Sequence, residues 1–156
     1  MHYDQAEYDL GCEWGLAGVR ALAPISYVLI VVDVLVFSTA VDIAVARGAS
    51  VLPYRWRDSS AEAFAKSKGA LLASPRSAGG YSLSPPSLQA IPAGTALVLP
   101  SPNGSALCTM AGAGATFTAC LRNCRAVAHV RARGSDIAVI PAGEQWGDGF
   151  VQPSKI

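Results

Sequence analysis

The sequence predicts an α/β fold built on a largely parallel sheet, and three observations carry the prediction. Strand-like apolar runs alternate with helix-like segments along almost the whole chain, from "EWGLAGVRALA" to "DIAVIPAG". The run at 27–36, "YVLIVVDVLV", is rich in Val, Ile and Leu without alternation, as a strand buried on both faces would be. A length of 156 residues, 51% of them hydrophobic, allows one domain with a real core and is short for two.

The elements follow in order. "EWGLAGVRALA" reads as a short first helix ahead of the strand at 27–36. An Ala-rich helix over about 38–47 stops at Arg47-Gly48, and "ASVLPY" is the second strand. Asp58 is placed to cap the next helix, with Ser59 and Glu62 at capping-box spacing, and "AEAFAKSK" runs on to a stop at Gly69. A short strand "ALLA" precedes "SPRSAGGYSLSPPS", a stretch without apolar period that reads as a long surface loop, functional or mobile. Then come "TALVLP" as strand, "PNGSALCTMAGA" as turn and helix, "ATFTACL" as strand, "RNCRAVAHVRAR" as helix and "DIAVIPAG" as strand. The apolar window from Val19 to Val45 is long enough to span a bilayer. Pro24, Ser26, Asp33 and Asp42 interrupt it, however, and a carboxylate near mid-span costs about 2.5–3.5 kcal/mol. Strand followed by helix is the better parse, and no membrane partner is expected.

Composition excludes several classes. A net charge of +1 gives no electrostatic reason for a nucleic-acid or acidic-membrane partner, and "YRWRD" at 54–58 is an isolated basic-aromatic cluster without a basic stripe around it. His2 and His129 are the only histidines, so a multi-histidine metal site is excluded. The cysteines at 12, 108, 120 and 124 form no C-x-x-C pair. Cys12 and Cys108 are expected to pack as small hydrophobes, and reduced thiols point to the cytoplasm. The opening "MHYDQAEYDLGCEWG" is polar and acidic, unlike a signal peptide.

A parallel sheet presents its ligands at the carboxyl ends of its strands, and polar residues cluster where those ends are predicted. Asp33, Ser38 and Thr39 follow the first long strand; "SPNGS", "LRNC" and "AGEQWGDG" follow three others. Asp33 with the two hydroxyls reads equally as a Mg²⁺ or phosphate corner, or as a buried carboxylate beside an N-capping Ser38. Asn103-Gly104 marks a tight turn with positive φ and Ser105 a helix start; this is an ordinary strand-to-helix turn or an anion nest. It lacks the length and lysine of a P-loop. Arg122 is suited to a bidentate anion contact and Asn123 to a cap, while Arg125, Arg131 and Arg133 read as a solvated helix face. Glu144 and Asp148 could join Asp33 around a divalent cation or lie in a plain polar turn.

Taken together, "VVDVLVFSTAVDIAVARGASVLPYRWRD", "LSPPSLQAIPAGTALVLPSPNGSALC", "CLRNCRAVA" and "IAVIPAGEQWGDG" resemble the ComB family, the 2-phosphosulfolactate phosphatases, in particular its actinobacterial-type branch. The resemblance implies a single three-layer α/β/α domain over 1–156 with a largely parallel or mixed sheet. It also implies a Mg²⁺-dependent phosphatase that hydrolyses 2-phosphosulfolactate to sulfolactate and phosphate. Asp33, Ser38 and Thr39 match the family's D-V-L-x-x-[ST]-T motif, Asn103, Gly104 and Ser105 match N-G-[ST], Asn123 matches L-x-N, and Glu144 matches A-G-E. On this reading Asp33 and Glu144 are the catalytic candidates and, with Asp148, the metal candidates. Ser38, Thr39, Asn103, Gly104, Ser105, Arg122 and Asn123 would bind the phosphoester.

The chain departs from the family pattern at Val36, where many members carry Arg, and at Gln145, where relatives often read G-E-R-W. Relatives also continue past the equivalent of "DGFVQPSKI" into an acidic pair and further helices, so the domain is expected to be incomplete. That would expose apolar surface and favour self-association as a homo-oligomer, or a partner filling the gap. The alternative function is a non-catalytic homologue that binds an anionic ligand or partner.

Overall fold

The computed structural model describes residue 5 and residues 7–112, 114–129, 136–145 and 151–152. Its elements are β1 (Leu10–Cys12), α1 (Gly15–Leu22), β2 (Val28–Val32), α2 (Phe37–Ala46), β3 (Ser50–Tyr54), α3 (Ser59–Ser67) and β4 (Leu71–Leu72). There follow β5 (Ala96–Pro100), α4 (Gly104–Met110), β6 (Ala115–Ala119), α5 (Cys124–Ala128), β7 (Ile137–Pro141), β8 (Glu144–Gln145) and β9 (Val151–Gln152). The fold is α/β with parallel strands, as the alternation predicts. Those strands divide between two sheets, ordered β1-β7-β2-β6 and β3-β5-β4, with β8 and β9 forming a separate antiparallel pair. No helix among the described residues is long and apolar enough to cross a membrane.

Register explains why the strand ends gather. Val32 of β2 lies opposite Ala119 of β6 and Pro141 of β7, so three neighbouring strands finish flush. The strand expected over 27–36 closes at Val32 because the start of α2 captures the next residues. The Ser38 N–H donates to the Asp33 carbonyl (2.9 Å) and the Thr39 hydroxyl to the Val34 carbonyl (2.8 Å). With those carbonyls engaged by the helix, the backbone after Val32 turns out of the sheet and leaves Leu35 93% exposed. α5 is also shorter at its start than the helix expected from 122, because residues 121–123 form a turn.

Two apolar clusters build the core. Leu29, Val31 and Ile140 pack against Val19 and Leu22 of α1 and Leu107 of α4. Phe37, Ala40 and Ala44 of α2 pack against Leu97 and Leu99 of β5 and against Leu88 and Ile91. α4 belongs to both, since Cys108 packs against each cluster. Cys108 thus behaves as the small hydrophobe expected, whereas Cys12 does not: it sits exposed on the edge strand β1. Asp58 caps α3 as expected, accepting from the Ser60 N–H at 2.9 Å. The long Ser/Pro/Gly stretch is ordered by its own serines. Ser74 donates to the carbonyls of Gly79 and Tyr81, and buried Ser82 accepts from the Ser84 N–H (3.1 Å).

Candidate functional site

Asp33 is the first residue past β2, and its half-buried carboxylate joins two elements distant in sequence. One oxygen, Oδ1, accepts the Phe37 N–H at the start of α2 (3.3 Å). The other, Oδ2, accepts the Gly104 N–H at the start of α4 (3.0 Å). The contact to Gly104 ties the end of β2 to the segment leaving β5, and so links the two sheets.

Gly104 is dictated by that closeness. A Cβ built on it would lie 2.6 Å from the Phe37 ring carbon Cγ and 2.7 Å from Asp33 Oδ2, where no side chain fits. The turn expected to need positive φ does not have it: Asn103 has φ −97°, and neither Asn103 nor Gly104 has a positive φ. The glycine answers close packing of an aromatic ring and a carboxylate on the backbone rather than left-handed geometry.

Burial sets the charge state here. Desolvation pushes the Asp33 carboxyl above its ordinary value of 3.8, against the opposing backbone N–H groups of Phe37, Gly104 and Val36. Beside it, burial and then the Asp33 charge push the Cys108 thiol up to about 12, so Cys108 is a neutral packing group.

The remaining candidates divide clearly. Ser38 and Ser105 are fully buried, each at 0% exposure. The Ser38 hydroxyl donates to the Val31 carbonyl (3.4 Å) and accepts the Asp33 N–H (3.1 Å), and that of Ser105 donates to the Leu99 carbonyl (2.7 Å). The Ser38 and Thr39 hydroxyls brace the corner on which Asp33 sits, and the Ser105 hydroxyl braces the β5-to-α4 corner that meets it. Ser38 is not an N-cap, because α2 begins at Phe37. Asn103 precedes α4 but makes no side-chain cap. Asn123 folds back onto its own loop: Oδ1 accepts the Cys120 N–H (2.8 Å), and Nδ2 donates to the Thr118 carbonyl (3.0 Å). Arg122, exposed beyond β6, pairs with Asp42 of α2 at 2.9 Å. The backbone of Glu144 lies just past β7, where the Ala142 N–H donates to the Val32 carbonyl at 2.9 Å, one residue before Asp33. Asp148 lies outside the described residues.

The segments carrying Asp33, Asn123 and Glu144 therefore leave the carboxyl end of one sheet, and Gly104 is brought onto Asp33 from the other sheet. Among the described residues no group of three or more His, Cys, Asp or Glu gathers to hold a metal. Asp33 by itself still suits Mg²⁺, which binds one or two carboxylates and keeps water or phosphate oxygens elsewhere. Its oxygens accept the Phe37 and Gly104 N–H groups, with the Val36 N–H also acting on the carboxylate, which leaves about one of its four lone-pair sites.

Sequence reading passed over two arginines. Arg57 and Arg76 line a cavity of about 270 Å³ at the carboxyl end of β3, β4 and β5, together with Leu72, Leu83 and Pro100. Arg57 lies in "YRWRD" and Arg76 in the Ser/Pro/Gly stretch, which reads in sequence as a long surface loop, functional or mobile. The signal was position after a strand end; the spacing of the two arginines in sequence gives no hint that they meet one cavity.

The sequence model of a family described as 2-phosphosulpholactate phosphatase matches residues 20–150, most of the chain. No curated protein matches it.

Proposed function

Because the chain belongs to the 2-phosphosulpholactate phosphatase family, we propose that it is a Mg²⁺-dependent phosphatase of small acidic phosphomonoesters, 2-phosphosulfolactate among them. The observation that carries the reading, beside the family, is the half-buried Asp33 carboxylate held at the end of a core strand by the Gly104 and Phe37 N–H groups. In this proposal Asp33 holds the metal, with Glu144 and Asp148 as the other carboxylates from the neighbouring strand end. An ion bound there would supply charge neutralisation for the phosphoryl oxygens.

The protein's own groups do the rest. Two helix starts fix the Asp33 carboxylate, so it needs little reorganisation when charge develops beside it. The buried hydroxyls of Ser38 and Ser105 act through position, holding the strand-to-helix corners on either side. Arg122 holds Asp42 through its Nε alone, which leaves its terminal Nη donors to meet an anion.

Phosphate release from a panel of phosphomonoesters, with Mg²⁺ and with chelator, tests the proposal. Release that needs the metal and favours esters carrying a second acid group is the expected result. Folded protein that releases nothing with Mg²⁺ present would remove the enzyme and leave a second reading. There the Asp33 carboxylate is a structural clamp in an anion-binding homologue, a role its two backbone partners already suit.

A further inference from the structure

The cavity beyond β3, β4 and β5 is a different feature from the Asp33 corner, and two arginines and two carboxylates share its lining. It opens at the carboxyl ends of three parallel strands, the position at which α/β sheets receive ligands. Its volume of about 270 Å³ is just under the ~300–1,000 Å³ of drug-sized pockets, so it admits a molecule of a few heavy atoms. Leu72 and Leu83 give it apolar surface, and Arg57 and Arg76 give it two guanidinium groups.

Neither arginine has a carboxylate partner among the described residues, where the ion pair is Arg122–Asp42. Arg57 is steered by its Nε, which donates to the Pro100 carbonyl at the end of β5 (3.3 Å). Arg76 rides on a segment pinned by Ser74 to the carbonyls of Gly79 and Tyr81. Two acids share the lining. Asp58 is engaged by Ser60 at the start of α3, whereas Glu62, also on α3, has no such partner and opposes a multiply charged ligand. A single carboxylate or sulfonate group at these walls is met better than a phosphate dianion is, the rest of the acid lying away from Glu62.

We infer that this cavity binds the carboxylate or sulfonate end of a small organic acid through Arg57 and Arg76. The site is near enough to serve the Asp33 corner: Pro100 lines the cavity, and Gly104, bonded to Asp33, follows four residues later, at most about 14 Å along an extended chain. That the acid belongs to the substrate rests on the phosphatase reading; that an acid binds does not.

The test is direct binding, by calorimetry, of sulfolactate, lactate and inorganic phosphate to wild type, Arg76→Gln and Asp33→Asn. Arg76 is exposed and makes no described hydrogen bond, so its variant should keep the wild-type melting temperature. Sulfolactate and lactate should each bind about tenfold or more weakly to Arg76→Gln, with phosphate affinity unchanged. Equal sulfolactate affinity in wild type and Arg76→Gln would overturn the inference, as would failure of both acids to bind wild type. Loss of phosphate binding alone would also overturn it, by making this a phosphate pocket. Weaker acid binding in a protein without phosphatase turnover would sustain the cavity and sink only the reading of its ligand as substrate.

Discussion

At the scale of single residues, Asp33 makes two opposed demands on the structure. Its raised pKa means the folded state binds a proton more tightly than the unfolded chain does. Its contribution to stability is therefore fully present below 3.8 and is lost as pH rises through the higher folded-state value. Asp33→Asn should lack this slope, so chemical denaturation across the acid range should show wild type gaining on the variant as pH falls. At neutral pH the amide can accept only one of the two N–H groups, at a cost of about 1–3 kcal/mol that relief of the half-buried charge partly offsets. If catalysis needs the ionised carboxylate, the acid limb of kcat/KM should lie above the ordinary 3.8. Gly104→Ala should destabilise by about 1–3 kcal/mol, because the Phe37 ring and the Asp33 carboxylate already fill the space. The sequence placed Asp33 at a strand end by pattern alone. It gave the wrong reason for Gly104, since the ring and carboxylate that require it lie some seventy residues away in the chain.

At the scale of elements, the order of strands and helices was readable and their ends were less so. β2 closes early because its next carbonyls are taken by the start of α2, a competition between hydrogen bonds that apolar pattern does not register. β1 was missed because three residues paired to β7 at a sheet edge carry no periodicity. The division into two sheets was also hidden: every core strand is short, apolar and parallel, and nothing local says which will be neighbours. The two arginines of the cavity share this limit, meeting only once β3, β4 and β5 align. The Arg122–Asp42 pair joins α2 to the turn beyond β6, with the arginine side chain 57% exposed. Removing it with Arg122→Ala should therefore cost less than about 1 kcal/mol in urea denaturation, and less again in high salt. A rise in KM well beyond that small loss would instead give Arg122 a role at the phosphoester.

At the scale of the whole molecule, α4 is the keystone, since its Leu107 lies in one core cluster and Cys108 touches both. Leu107 is only 2% exposed, so Leu107→Ala should cost about 2–5 kcal/mol. Loss of the α4 seat should also disturb the Gly104 contact to Asp33 and lower activity along with stability. Thiol titration reads the same architecture. Cys12 and Cys124 are exposed and should react in the native protein, Cys12 slowed because desolvation and then Glu13 push its thiol pKa up; buried Cys120 and the high-pKa Cys108 should react only on unfolding.

Whether the Asp33 corner performs metal-dependent phosphoester hydrolysis is decided by initial rates of phosphate release from 2-phosphosulfolactate with Mg²⁺, for wild type and for Asp33→Asn shown to be folded. Wild type should turn over and the variant should lose at least about a hundredfold, the scale on which removing a transition-state charge stabiliser acts. Equal rates in the two proteins would contradict it, leaving Asp33 as the clamp between two helix starts and placing the chemistry elsewhere in the molecule.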